Sequence, residues 1–66
     1  LNVTINGVAR ELPSGATVAE AVKTLTETRN GVAVAVNGEV VSRSAWDSTA
    51  LADADAVEVL TAVQGG

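Results

Sequence analysis

Asp53-Ala54-Asp55-Ala56-Val57-Glu58-Val59-Leu60-Thr61-Ala62-Val63-Gln64-Gly65-Gly66 combines a turn, an apolar alternating run and a pair of glycines. Asp53-Ala54-Asp55 is turn material, and Val57–Val63 has the β-branched character and the alternation of a strand. Successive strand residues point to opposite faces. That places Val57 and Val59 inward and turns Glu58, Leu60 and Ala62 outward. Gln64-Gly65-Gly66 has nothing to pack and reads as a mobile tail. The expected division is therefore a domain over residues 1–63 and a tail over 64–66.

Working back from this strand, Leu1–Leu12 reads as a hairpin. Leu1, Val3 and Ile5 alternate with Asn2 and Thr4, and Asn6-Gly7 supplies the two positive φ angles that a type I′ turn needs. A two-residue loop pairs Ile5 with Val8, Val3 with Arg10 and Leu1 with Leu12. One face then carries Leu1, Val3, Ile5, Val8 and Leu12, with Thr4, Ala9 and Glu11 opposite. Pro13-Ser14-Gly15 ends the hairpin. A third strand, Val32–Val36, turns at Asn37-Gly38 into Glu39–Ser42, with Val32, Val34 and Val36 inward and Ala33 and Ala35 on the far face. Arg43–Ala52 is irregular, with a short helical turn expected around Ser44–Asp47.

Between the hairpins, Thr17–Arg29 is the expected helix. Thr17-Val18-Ala19-Glu20 fits a capping box, and Val18, Ala21, Val22 and Leu25 form an apolar stripe at helical spacing. Lys23 and Glu27 stand four apart on the wet side, and Asn30-Gly31 suits a left-handed C-terminal cap. The order is strand, strand, helix, strand, short strand, strand. One helix covers one face of a sheet and leaves the other open. Placing the last strand between the first hairpin and the third strand, parallel to strand one, gives an α+β fold of the β-grasp kind. Its mixed sheet has four to five strands, with one helix packed on one face.

Composition narrows the function. The chain has 66 residues, enough for one domain, and so small a domain buries only about 60% of its unfolded surface. It contains no cysteine and no histidine, which removes the thiolate nucleophile, the disulfide staple, the usual base near neutral pH and the commonest metal ligand. Eight carboxylates against four cations leave a formal charge of −4. Nucleic acid, which needs a basic face, is an unfavourable partner, and a positively charged protein surface is a better one. No apolar run approaches the ~20 residues of a membrane span. No signal peptide is legible, and a cytoplasmic monomer in the free state is the expectation.

Two segments carry a resemblance. Val34-Ala35-Val36-Asn37-Gly38-Glu39-Val40-Val41-Ser42-Arg43-Ser44-Ala45-Trp46 combines an apolar strand, an Asn-containing turn, two aliphatics and Arg-x-x-Trp, and Asp53–Gly66 supplies the matching end. In both, the chain resembles the sulfur carriers of thiamine biosynthesis, the ThiS family, which are ubiquitin-like. It departs from them at Ser42, where a proline often stands, and at Ala54, where glycine is common between the two aspartates. The small subunits of molybdopterin synthase share the fold and the terminal glycines. They carry an aromatic and a Pro-Pro pair where this chain has Leu60-Thr61-Ala62-Val63, so the thiamine branch is favoured.

What the resemblance implies is a carrier that works through the Gly66 carboxylate. An adenylating partner of the ubiquitin-activating type consumes ATP to form an acyl-adenylate, and sulfur from a cysteine desulfurase or a similar donor displaces AMP. The resulting thiocarboxylate serves thiazole synthase. The carrier itself is not an enzyme and binds no cofactor or metal. The alternatives are a carrier for molybdopterin or another pathway, or a ubiquitin-like protein modifier; a plain interaction domain is the blandest. A terminal Gly-Gly is weak evidence by itself, arising by chance in about one chain in 200. Its weight comes from following a strong strand, because Gly65 and Gly66 fit a narrow channel and adopt backbone angles closed to other residues. From Val63 onward the extended chain reaches at most about 13 Å, with Gln64 in the same tail. The expected docking patch is the open sheet face: Leu60, Ala62 and Glu58, beside Ala33 and Ala35. Arg43 either meets a partner or anchors the irregular loop, Trp46 reads as a packing plug under that loop, and Asp53 and Asp55 read as a turn rather than a metal pair.

Overall fold

The computed structural model describes residues 1–61. The sequence readings that fall on Ala62, Val63, Gln64, Gly65 and Gly66 lie outside the described residues. Among the described residues the elements are β1 (Asn2–Ile5), β2 (Val8–Glu11), α1 (Val18–Lys23), β3 (Val32–Val36), β4 (Glu39–Val41), a 3-10 turn at Arg43–Ala45, and β5 (Ala56–Thr61). The strands form one sheet in the order β2-β1-β5-β3-β4. β5 runs parallel to β1, with Thr4 opposite Ala56 and Ile5 opposite Val57. It is antiparallel to β3 from Val36 opposite Val57 to Val32 opposite Thr61. The last strand thus fills the gap between the two hairpins, and the fold is the ubiquitin-like β-grasp.

The first hairpin has the expected register, with Val3 opposite Arg10, and the second turns at Asn37-Gly38 as expected, with Ala35 opposite Val40. Their turns place Asn6 at φ 53°, Gly7 at 82°, Asn37 at 51° and Gly38 at 85°. These are left-handed values that Asn and Gly tolerate and β-branched residues do not. The core lies between the sheet and α1, where Val3, Ile5, Val34, Val57 and Val59 meet Val18, Ala21 and Val22.

Trp46 closes one end of this core. It is fully buried, and its Nε1 donates to the Val41 carbonyl at 3.0 Å, so the one polar atom of the ring is satisfied. The loop that carries it also completes the helix. A helix leaves its first amide groups without internal partners. Here Val18 N donates to the Thr49 carbonyl at 3.0 Å and Ala19 N to the Trp46 carbonyl at 3.2 Å. Thr17 N donates to Glu20 Oε1 at 3.1 Å, the glutamate half of the expected capping box.

Three expectations need correction. The helix ends at Lys23, not Arg29. Beyond it, Thr24 Oγ1 donates to the Ala21 carbonyl at 2.7 Å, and the hydroxyls of Thr26 and Thr28 accept from the amides of Thr28 and Asn30. Such side-chain bonds offer the backbone an alternative to the helical ladder. Glu27 is therefore not a helical neighbour of Lys23, and Leu25, outside the helix, is 42% exposed. Gly31 does take positive φ, at 70°, but it turns the loop into β3 instead of capping α1. Finally, Val8 shares the covered side with its partner Ile5 yet is 55% exposed. β2 is an outer strand and none of its residues is buried, so the cover stops short of it.

Candidate functional site

The candidate site is built on β5, the middle strand of the sheet. Alternation buries Val57 and Val59, and leaves Glu58 exposed and Leu60 69% exposed on the face that α1 does not cover. Across the β3 ladder Leu60 is opposite Ala33, and Glu58 is opposite Ala35. Directly paired residues share a face. Ala35 in turn pairs with Val40 of β4, so Val40, at 82% exposure, belongs to the same surface.

The two alanines give that surface its shape. Their small side chains leave a shallow hollow lined by Ala33, Val34, Ala35, Val40, Glu58 and Leu60. A second hollow, lined by Gly31, Val32, Ala33, Leu60 and Thr61, continues it toward the last described residue of β5. Leu60 and Ala33 border both. The structure therefore brings together four of the residues singled out from sequence: Leu60, Glu58, Ala33 and Ala35. Ala62, Gln64, Gly65 and Gly66 lie outside the described residues.

Val40 was missed by the sequence reasoning, although its signal was present. A two-residue Asn37-Gly38 loop pairs Val36 with Glu39 and hence Ala35 with Val40. Placing Ala35 on the open face places Val40 there too.

Arg43 sits elsewhere. Its Nη1 donates to the Arg29 carbonyl at 3.3 Å and to Asn30 Oδ1 at 3.2 Å, while Arg29 Nη2 returns a bond to the Arg43 carbonyl at 3.2 Å. Arg29 also pairs with Asp47 at 3.2 Å, and its guanidinium carbon lies 5.0 Å from the Trp46 ring centroid, within cation–π range. This exchange ties the loop after α1 to the 3-10 turn. The hollow that Arg43 borders is shared with Arg29, Asn30, Ser44 and Asp47, none of them on the sheet face.

The two aspartates before β5 hold its turn. Asp53 Oδ1 accepts from Asn2 N at 2.6 Å, and Asp55 accepts from Asn37 Nδ2 at 2.9 Å and Ala52 N at 2.7 Å. Among the described residues no group of three or more His, Cys, Asp or Glu gathers to hold a metal. No helix there is long and apolar enough to cross a membrane.

The ThiS family model matches residues 3–66. The chain belongs to the ThiS family. Among solved structures it is similar to the thiamine biosynthesis protein ThiS of Geobacter metallireducens. The crystal structure of that protein is 36% identical, with a TM-score of 0.80 and all of both chains covered. Its NMR solution structure is also 36% identical, with a TM-score of 0.79, and covers all of this chain and 88% of that one. No match was found among curated proteins. ThiS membership supports a sulfur-carrier role rather than a catalytic one.

Proposed function

We propose that this chain carries sulfur for thiazole formation in thiamine biosynthesis, with residues 64–66 as its working tail and the Gly66 carboxylate as the group that is loaded. A free carboxylate is a poor electrophile, so a partner enzyme first joins it to AMP at the expense of ATP and releases pyrophosphate. The terminal sulfur of a persulfide on a cysteine desulfurase or a similar donor then attacks the carbonyl and displaces AMP. A thiol reductant cleaves the resulting acyl disulfide, leaving the thiocarboxylate that a thiazole synthase consumes and a disulfide as the oxidised product. The carrier contributes no acid, base or nucleophile to these steps. It contributes shape: side-chain-free glycines that enter a narrow channel, and an anionic domain that favours encounter with basic partners. The cytoplasm, where such soluble partners meet, is the proposed compartment.

The observation that carries this reading is the family match, which runs through Gly65 and Gly66. The sheet geometry supports it, since the strand leading toward those glycines is central and bears Leu60 on the uncovered face.

The test uses the absence of cysteine. A thiol-alkylating reagent has no target in the unloaded chain. After incubation with ATP, a sulfur donor and the cognate adenylating and desulfurase enzymes, one alkylated site is expected, and fragment masses place it at Gly66. No labelling with partners shown to be active overturns the reading. A ladder of lysine conjugates in extract makes the chain a protein modifier instead. One residue appended after Gly66 is expected to abolish activation while leaving the fold intact.

A further inference from the structure

β5 is held unequally on its two sides. Toward β3 the ladder continues to Val32 opposite Thr61. Toward β1 it covers only Ala56 and Val57, because β1 ends at Ile5 and the chain turns away at Asn6-Gly7. The backbone groups of Val59 that face this side would have no strand to meet. They are met by a side chain: Val59 N donates to Asn6 Oδ1 at 2.8 Å, and Asn6 Nδ2 donates to the Val59 carbonyl at 3.1 Å. Asn6 N adds a third bond, to the Val57 carbonyl at 2.9 Å. A primary amide has one donor edge and one acceptor edge, so Asn6 reproduces what one more residue of β1 would supply.

Asn37 does the same at the other end of β5. Its N donates to the Ala56 carbonyl at 2.8 Å, and its Oδ1 accepts from Ala56 N at 3.0 Å. Each turn asparagine therefore has two tasks, positive φ in its own hairpin and a clamp on the central strand. Asn37 clamps where β5 begins, and Asn6 clamps two residues before Thr61, the last described position.

We infer that Asn6 is a positioning residue that sets the bearing and order of the outgoing end of β5, and through it the presentation of the tail to the activating enzyme. The consequence for activation rests on the function proposed above. Without the clamp, Val59 loses both of its backbone partners on the β1 side, and the partner must order the end of the strand on docking. Ordering of that kind weakens binding without touching the chemistry at the carboxylate.

The experiment compares N6G with N37G. Both keep a residue suited to positive φ, and both delete a side-chain amide that bonds the backbone of β5, at Val59 for Asn6 and at Ala56 for Asn37. The first readout is amide hydrogen exchange of the free, full-length chain, with Val34 as the sheet-centre reference. In N6G the Val59 amide, whose acceptor is Asn6 Oδ1, is expected to exchange about tenfold faster relative to Val34, the factor set by roughly 1.4 kcal/mol of lost bonding. In N37G it is expected to change less than about twofold. The second readout is carrier-dependent pyrophosphate exchange by the adenylating partner. N6G is expected to raise KM roughly fivefold at unchanged kcat, as ordering one or two residues implies, and N37G to leave KM as in the parent.

Unchanged exchange at Val59 in N6G overturns the inference, as does an equal effect of both variants on exchange or on KM. If the unmodified chain is not activated by an active partner, the proposed function fails and the exchange arm still decides the role of Asn6. Should N6G not fold, N6D takes its place. It keeps an acceptor for Val59 N but turns an oxygen toward the Val59 carbonyl, and the same faster exchange is expected.

Discussion

The two faces of the sheet are made from the same strands and differ in almost everything else. On the covered face Val3, Ile5, Val34, Val57 and Val59 are buried against α1, with Trp46 closing the end. On the open face stand Ala33, Ala35, Glu58, Leu60 and Val40, the last two largely exposed. The covered face uses branched aliphatics because it must fill a volume; its energetics are those of burial. Along β3, β4 and β5 the open face sets small residues and Glu58 around Leu60 and Val40, which leaves a shallow depression instead of a packed layer. Alternate residues of one strand thus serve packing and, in the function proposed, recognition, so each can be altered with little effect on the other.

The largest expected effect comes from breaking the covered face at its closed end. Trp46→Ala removes a fully buried ring and orphans the Val41 carbonyl, at a cost of about 3–5 kcal/mol. A domain of this size has a total stability of only about 3–10 kcal/mol. The variant is therefore expected to be largely unfolded by circular dichroism at room temperature, and a cooperative native transition in urea would contradict the packing described.

A sharper test sets neighbours of β5 against each other. Val57→Ala is expected to lower unfolding stability by about 2 kcal/mol, from lost methyl burial and the residual cavity. Leu60→Asp is expected to change stability by less than about 0.5 kcal/mol while weakening affinity for the adenylating partner roughly tenfold or more, the value of one buried aliphatic. Urea titration and binding calorimetry read the two effects separately. Unchanged affinity for Leu60→Asp removes the docking patch, and equal stability losses erase the distinction between the faces.

The smallest effect raises the baseline for all the others. Ala54 sits at φ 72°, a left-handed conformation that costs an L-residue about 1–2 kcal/mol. Glycine relieves that strain but has a more flexible unfolded chain, a loss of roughly 0.4–1 kcal/mol. Ala54→Gly is therefore expected to stabilise the protein by about 0.5 kcal/mol in urea unfolding, with no change in partner affinity because the turn lies away from the open face. It restores the glycine common at this point in the sulfur carriers that the chain resembles.

Strand positions were legible because alternation and the Asn-Gly pairs are local signals. Asn6-Gly7 and Asn37-Gly38 set the registers of both hairpins, and with them the faces of Ala33, Ala35 and Val40. The helix end was not legible, because the apolar spacing from Val18 to Leu25 outlasts the helix itself. Its termination is decided by hydroxyl bonds of Thr24, Thr26 and Thr28 that compete with the ladder. Val8 shows the same limit for burial. Its parity was right, but exposure depends on how far a neighbouring element reaches.

The alternation that divides each strand into two faces, the Asn-Gly turns that set register, and Gly65-Gly66 following an apolar run are all local properties of the amino-acid order. Long-range packing, by contrast, brings the amides of Asn6 and Asn37 onto β5, locks two loops together through Arg29 and Arg43, and stops the cover before Val8. The physical reason is range. Backbone dihedrals and side-chain parity are settled within a few residues, whereas a hydrogen bond from Asn6 to Val59 spans 53 positions and exists only once the central strand has been laid beside the first.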